Sequence, residues 1–165
     1  MKMIPNLSFD DVLIVPQYSD IQSRSEIDIG NDLGNFHLKL PVMSAPMDSV
    51  TESAMVRAMA KRGGLGIIHR YNTIEKQATL AKKCHTPIVA AAVGVTGDYL
   101  DRAHALLSAG VKIICVDVAH GHHALMRHAL EVLRNTFGTQ ITIIAGNVAT
   151  LQAFNDLSDW GADAV

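Results

Sequence analysis

Short apolar runs alternate with amphipathic stretches from Leu40 onward, and a glycine or a polar turn separates most of them. This alternation is typical of parallel β-strands joined by helical crossovers. It predicts strands over residues 41–44, 66–69, 88–94, 112–118 and 141–145, with a last strand opening at Ala162. It predicts helices over residues 51–62, 73–83, 97–110, 123–137 and 150–160. Periodicity alone leaves two all-parallel architectures open, the doubly wound sheet and the closed barrel.

Two local features of the helices can be predicted as well. Thr51 is placed to cap the first helix, because a threonine hydroxyl can accept a hydrogen bond from the first turn. The helix that starts at His123 has an apolar face at helical spacing. That predicted buried face carries Leu125, Ala129, Val132 and Leu133.

The first 39 residues do not follow the alternation. Residues 7–16 are predicted to be a short extended segment ended by proline, and the polar stretch up to Asn35 a loop with one edge strand at residues 25–29. We therefore expect residues 1–39 to form an N-terminal extended segment that packs on a main domain of residues 40–165.

Composition and charge restrict the class of protein. The chain has 165 residues, 48% of them hydrophobic, which suits one globular domain but is short of the ~250 residues of a complete eight-stranded barrel. A net charge of -2 without a basic run gives no case for binding nucleic acid or an anionic membrane. No apolar run reaches the ~18 residues that span a bilayer, and the first residues lack the apolar segment of a signal peptide. We expect a cytoplasmic protein.

The cysteines and histidines do not predict a metal site. Cys84 and Cys115 are the only cysteines and lack metal-type or redox spacing. Cys115 lies inside an apolar strand and is expected to be a small buried hydrophobe. His120, His122 and His123 cluster after the same strand, but no nearby Asp, Glu or Cys completes a ligand set at a familiar spacing.

Polar and small residues follow the predicted strands, and in a closed barrel they would converge on one mouth. Asp117 could accept hydrogen bonds from a ligand or could cap the next turn. Asn147 could bind a ligand or form a turn. Met47 could fill the core or contact a flat purine. The residue pattern leaves each pair of alternatives open.

Five segments, spread over nearly the whole chain, carry a recognisable set of motifs. They are LSFDDVLIVP (residues 7–16), PVMSAPMDSVTE (41–52), GGLGIIHR (63–70), VDVAHGH (116–122) and AGNVA (145–149). Together and in this order they resemble the IMP dehydrogenase/GMP reductase family. The resemblance implies a (β/α)8 TIM-barrel fold, of which this chain would form the N-terminal portion, about five βα units and the start of a sixth strand.

The resemblance also implies roles for individual residues. Ala45 and Met47 would lie against the purine nucleotide, and Asn147 near the nucleotide and the catalytic loop. Asp117, Val118 and Ala119 would lie beside the nicotinamide cofactor, and His69 near its outer portion.

Two reactions occur in the family that the chain resembles. IMP dehydrogenases use a cysteine to attack the purine, pass hydride to NAD and hydrolyse the intermediate to XMP. GMP reductases use related cysteine chemistry to remove ammonia from GMP with NADPH.

The chain departs from the family pattern in two places. Only residues 71–86 stand where many dehydrogenases carry a pair of CBS modules. The sequence given stops where the sixth strand should begin, ahead of the loop with the family's catalytic cysteine and of most of any site for a monovalent cation such as potassium. We therefore expect no catalytic residue in this chain and no turnover by it alone. Its partners would be the rest of the barrel and, by resemblance, further copies in a homotetramer.

Within the family, the motifs point both ways. Residues 50–52 and 119–122 resemble the dehydrogenase form, whereas residues 117–119 and 23–26 resemble the reductase form. We expect an IMP dehydrogenase using NAD, with a GMP reductase using NADP as the alternative. A non-catalytic half-barrel that binds a nucleotide or a partner chain is a hypothesis from another class.

Overall fold

The computed structural model describes residues 7–165. Its centre is a five-stranded parallel sheet. The strands, in their order across the sheet, are β3 (Met43–Ser44), β4 (Leu65–Ile68), β5 (Ala90–Val93), β6 (Ile113–Asp117) and β7 (Thr142–Gly146). Neighbours in the sheet are neighbours in sequence throughout, whereas a doubly wound sheet reverses its strand order at a switch point. The sheet is therefore the barrel type, and it forms half of a barrel.

Five helices connect or follow these strands, as the alternation predicts. They are α1 (Ser53–Lys61), α2 (Ile74–Lys82), α3 (Tyr99–Ser108), α4 (Ala124–Phe137) and α5 (Leu151–Asp159). Thr73, His123 and Thr150 cap α2, α4 and α5 by accepting backbone N–H groups of the first turn. Short 3-10 helices lie at Phe9–Asp11, Arg24–Glu26 and Gly138–Gln140.

The predicted cap at Thr51 is wrong. The N-cap position of α1 is Glu52, and the buried Thr51 hydroxyl instead donates to the carbonyl oxygen of Ala45 at 2.6 Å. Thr51 thus ties the segment after β3 to the start of α1, which satisfies a buried hydroxyl without capping the helix.

Both faces of the sheet are buried, as expected for a parallel sheet covered on each side. Ile114 and Val116 of β6 face the helices and belong to the larger core cluster. Ile113 and Cys115 alternate with them and face the barrel interior with Ile67. Since β6 ends at Asp117, the alternation continues the interior row of side chains to that carboxylate.

A hairpin closes the interior from one end and replaces the predicted edge strand at residues 25–29. β1 (Asn31–Leu33) pairs antiparallel with β2 (Phe36–Leu38). Leu33, Phe36 and Leu38 pack in the interior cluster. The strand prediction for residues 25–29 is wrong because a 3-10 helix occupies Arg24–Glu26.

The start of a sixth barrel strand is present at the chain's last residues, in agreement with the strand predicted from Ala162. Ala164 forms a parallel bridge with Ile144 of β7. Arg134 of α4 holds this segment, because its guanidinium donates to the Asp163 carboxylate and to the Gly161 carbonyl oxygen, each at 2.7 Å.

The segment that precedes the hairpin is exposed in the described chain. Leu13 and Ile14, for example, are 94% and 96% accessible. Its expected packing on the barrel, and the division into residues 1–39 and 40–165, remain predictions.

Candidate active site at the carboxyl ends of the strands

Asp117 and Asn147 lie beside one cavity at the carboxyl ends of β6 and β7. The cavity measures about 680 Å³, and Cys115, Ile144 and Phe154 form part of its wall. Asp117 is partly exposed and stands opposite Gly146 in the strand register. Within residues 7–165 its carboxylate accepts no hydrogen bond, so it does not act as a cap there and is free for a ligand donor.

The loop after β6 and the loop after β7 are locked together by backbone hydrogen bonds. Val118 N–H donates to Gly146 O at 2.9 Å, and Asn147 N–H donates back to Val118 O at 2.7 Å. Gly121 N–H donates to Asn147 O at 2.7 Å. A Cβ at Gly121 would lie 3.0 Å from that oxygen, so a side chain there would force the backbone of one loop to shift by a few tenths of an ångström. The motifs VDVAHGH and AGNVA are therefore one structural unit.

The three histidines after β6 differ in their contacts. His122 Nε2 lies 2.8 Å from Asp156 Oδ2 of α5, and its ring stacks on Trp160 at 5.9 Å between centroids. His123 caps α4 by accepting from Leu125 N–H, and His120 is exposed. Among residues 7–165, no three His, Cys, Asp or Glu side chains are grouped so as to hold a metal ion.

His69 follows β4 and is buried, with 2% of its surface accessible. Its Nδ1 accepts from Tyr71 N–H at 3.2 Å, which assigns the proton of the neutral ring to Nε2. Nε2 lies 3.3 Å from Glu52 Oε1, so the glutamate accepts that proton's hydrogen bond. The motifs PVMSAPMDSVTE and GGLGIIHR thus meet through Glu52 and His69.

Ala45 and Met47 lie on the segment between β3 and α1. Met47 is 51% accessible, so it does not fill the core of the described chain. Its N–H donates to Ala45 O at 2.8 Å, and its own carbonyl oxygen accepts from Thr51 N–H at 2.9 Å. In residues 7–165 neither Ala45 nor Met47 lines the cavity that Asp117 and Asn147 share.

Both cysteines are buried and poorly suited to nucleophilic attack. Burial and the nearby Asp117 carboxylate raise the pKa of Cys115 to about 12. Burial also raises the pKa of Cys84 above its usual range. Because the thiolate is the reactive form of cysteine, both side chains behave as inert core residues at neutral pH.

A buried polar network missed by sequence reasoning supports the ends of β4 and β5. Gln77 of α2, fully buried, donates to Ala92 O at 2.8 Å. Arg102 of α3 donates to Gln77 Oε1 at 2.9 Å, to Asp98 Oδ2 at 2.7 Å and to Asn72 O at 3.0 Å. A glutamine on the otherwise apolar face of a predicted helix was the available signal.

Arg70 joins this region to the strand that ends in Asp117. Its Nη2 donates to Asp117 O at 3.4 Å, and its guanidinium carbon lies 5.3 Å from the centre of the Tyr71 ring.

No helix in residues 7–165 is both long and apolar enough to cross a membrane.

Comparisons with known proteins agree on the family. The model of the family described as "IMP dehydrogenase / GMP reductase domain" matches residues 6–165. The solved structure of inosine 5'-monophosphate dehydrogenase from Legionella pneumophila superposes with a TM-score of 0.87 at 43% identity, over 93% of this chain and 48% of that one. This neighbour confirms the barrel fold.

Curated relatives include both enzymes of the family. An inosine-5'-monophosphate dehydrogenase from Nitrosopumilus maritimus is 28% identical over 100% of this chain and 61% of its own length. A GMP reductase from Streptococcus agalactiae is 32% identical over 98% of this chain and 49% of its own length. The chain thus spans about half the length of most of the curated relatives it matches. The motifs, the half-barrel and these matches show that the chain belongs to the IMP dehydrogenase/GMP reductase family.

Proposed function

We propose that residues 7–165 form the N-terminal half of the catalytic barrel of an IMP dehydrogenase, which converts IMP, NAD and water to XMP and NADH. The observation that carries the proposal is the free Asp117 carboxylate beside the cavity that Asn147 shares. A cavity of about 680 Å³ is within the size range of small-molecule sites. The unpaired carboxylate suits the hydroxyl groups of a ribose.

Each predicted site residue would contact one of the two ligands. Asp117 would accept hydrogen bonds from the ribose of NAD, with Val118 and Ala119 beside it. Ala45, Met47 and Asn147 would contact IMP. When bound, NAD supplies the acceptor for the hydride that leaves the purine.

His69 would act at the outer part of the cofactor, and Glu52 would hold it in place. The contact of 3.3 Å between their side chains fixes the imidazole orientation and tautomer. Glu52 lies in the segment that resembles the dehydrogenase form, which supports the dehydrogenase.

Other expectations from the resemblance belong to this proposal. They are the homotetramer, the cytoplasmic location, and a monovalent cation such as potassium held mostly by residues outside this chain. The catalytic cysteine would also come from outside it, since both thiols here are buried.

GMP reductase is the second candidate, with NADPH as the cofactor. The alignment with the S. agalactiae reductase extends over 166 positions for this 165-residue chain, so it requires almost no insertion. Alignments with the dehydrogenases from N. maritimus and Cryptosporidium parvum extend over 294 and 205 positions. Against this, the L. pneumophila dehydrogenase is 43% identical to the chain over the aligned residues, compared with 32% for that reductase.

Two matched chimeras test the proposal. Residues 1–165 are joined to the second half of the L. pneumophila dehydrogenase barrel, and separately to that of the S. agalactiae reductase. Each folded product, checked by circular dichroism, is assayed with IMP plus NAD and with GMP plus NADPH. We expect the first chimera to oxidise IMP. A folded first chimera without this activity, beside a second chimera that reduces GMP, would replace the dehydrogenase by the reductase.

A further inference from the structure

The buried side-chain polar atoms that lack a hydrogen-bond partner are concentrated on one loop. In residues 7–165 they are Arg70 Nε and the amide nitrogen and oxygen of Asn72. Since almost all buried polar atoms in proteins are hydrogen-bonded, a cluster of unsatisfied ones calls for a missing partner. The loop follows β4 and lies at the same end of the sheet as Asp117.

Arg70 lacks a counter-ion as well as a hydrogen-bond partner for its Nε. Within the described chain its guanidinium forms no ion pair, and its one hydrogen bond is the long contact with Asp117 O at 3.4 Å. Tyr71 contributes a cation–π contact at 5.3 Å. A partly buried charge without a counter-ion is unfavourable, so an anion placed there would regain free energy.

A small cavity of about 110 Å³ lies against this guanidinium. Arg102 and Asp98 also line it, but these two neutralise each other through a 2.7 Å ion pair. Gly94 lies next to this guanidinium, since a Cβ at that position would be in ordinary van der Waals contact with Nη1 at 3.5 Å. The cavity therefore has one paired arginine and one unpaired arginine.

We propose that Arg70 binds a phosphate group of the ligand at the mouth of the half-barrel. A guanidinium offers several N–H donors in one plane, which match phosphate oxygens better than any neutral group. The contact with Asp117 O places Arg70 on the cofactor side of the site proposed above, so the dinucleotide is the expected source of the phosphate. The inference rests on that proposed function and extends it to the chemistry of binding.

The test uses the active chimera and the variants R70Q and R70K. R70Q is expected to raise KM for the dinucleotide about 10-fold or more, while KM for the purine nucleotide changes less than about 2-fold. R70K keeps the charge without the planar donors and should give an intermediate value. R127Q is the matched control, since Arg127 is exposed and pairs only with Glu131 one turn along α4.

A salt series separates binding from structural support. The wild-type KM for the dinucleotide should rise with ionic strength, and the dependence should flatten in R70Q but not in R127Q. Inorganic pyrophosphate should compete with the dinucleotide in the wild type and lose potency in R70Q. If R70Q raises KM for the purine nucleotide instead, the phosphate bound is that of the mononucleotide.

Folded R70Q with unchanged KM for both substrates would overturn the inference. If R70Q does not fold, R70K with an unchanged dinucleotide KM and salt dependence would overturn it equally. Inactivity of the parent chimera is a failure of the proposed function, whereas these outcomes are failures of the role of Arg70 alone.

Discussion

Replacement of Gly121 by alanine should break the lock between the loops after β6 and β7. The added Cβ would lie 3.0 Å from Asn147 O and 3.2 Å from the Gly146 carbonyl carbon. Both atoms belong to backbone that cannot rotate away as a side chain could. Overpacking of this kind costs about 1–3 kcal/mol, and weakening the 2.7 Å hydrogen bond from Gly121 N–H costs about 1 kcal/mol more.

We therefore expect Gly121→Ala to lower the free energy of unfolding by about 2–4 kcal/mol. Each kcal/mol corresponds to about 2–4 °C in Tm for a chain of this size. Urea unfolding can be followed through the fluorescence of Trp160, the single tryptophan, which stacks on His122 next to the mutated residue. The measurement thus reports on the loop itself.

Gly146→Ala is the matched control. A Cβ at Gly146 would meet nothing within 4 Å, and its φ is not in the left-handed region. We expect its free energy of unfolding to stay within about 0.5 kcal/mol of wild type. Equal losses in the two variants, or no loss in Gly121→Ala, would refute the steric argument.

Asp117, Arg102 and Cys115 each allow a separate test of the contacts described above. Asp117→Ala should leave the free energy of unfolding almost unchanged in urea titrations, because its carboxylate makes no hydrogen bond in residues 7–165, yet raise KM for the dinucleotide several-fold in the active chimera; a loss of stability without a change in KM would contradict this. Arg102→Met should lower the free energy of unfolding by about 1–3 kcal/mol in the same titrations, since it leaves the neutral Gln77 Oε1 buried without its donor, and the double change with Gln77→Leu should be less than additive. Cys115 should contribute stability that is complete below its ordinary pKa of 9.0 and is lost as pH rises toward about 12; Cys115→Ala should lack that alkaline decline, and equal pH curves would disprove it.

Most of the half-barrel was predictable because its strands and helices have strong local signals. Thr73 and Thr150 stand where a helix must begin, and each caps the predicted helix. The face of α4 was predicted less well, since Leu125 is 44% accessible while Met126 and Leu130 are fully buried. A shift of one residue around a helix rotates its face by about 100°, and periodicity in a helix rich in apolar residues does not fix that angle.

The hairpin β1–β2 has a turn signal in the sequence. Gly34 and Asn35 form a two-residue turn between alternating residues, a pattern typical of a β-hairpin. The strand predicted at residues 25–29 does not form, because Ser23 caps a 3-10 helix over Arg24–Glu26 by accepting from Ser25 N–H. Turn chemistry was therefore the better guide.

The polar contacts of the site could not be predicted from spacing. Arg102 reaches Gln77 across 25 positions of sequence, and His122 reaches Asp156 across 34. Such pairs depend on how α2, α3 and α5 pack on the sheet, and a single sequence carries no direct record of that packing. From the sequence, His122 is identifiable only as one of three clustered histidines, without its contact to Asp156.

At the barrel mouth, some polar side chains have partners within the chain and stabilise the loops, whereas others lack a partner and are available to bind a ligand. His69 and His122 are each held by a carboxylate and a second contact, so the orientation of each ring is fixed by residues of this chain. Asp117 and Arg70 are different, because each carries a charge at the same end of the sheet without a counter-ion in residues 7–165. The effects of replacing these two charged side chains should therefore be coupled through the ligand that both would contact. Neutralising both should change dinucleotide affinity less than the sum of the single effects, because the ribose and the phosphate that they would contact belong to one ligand.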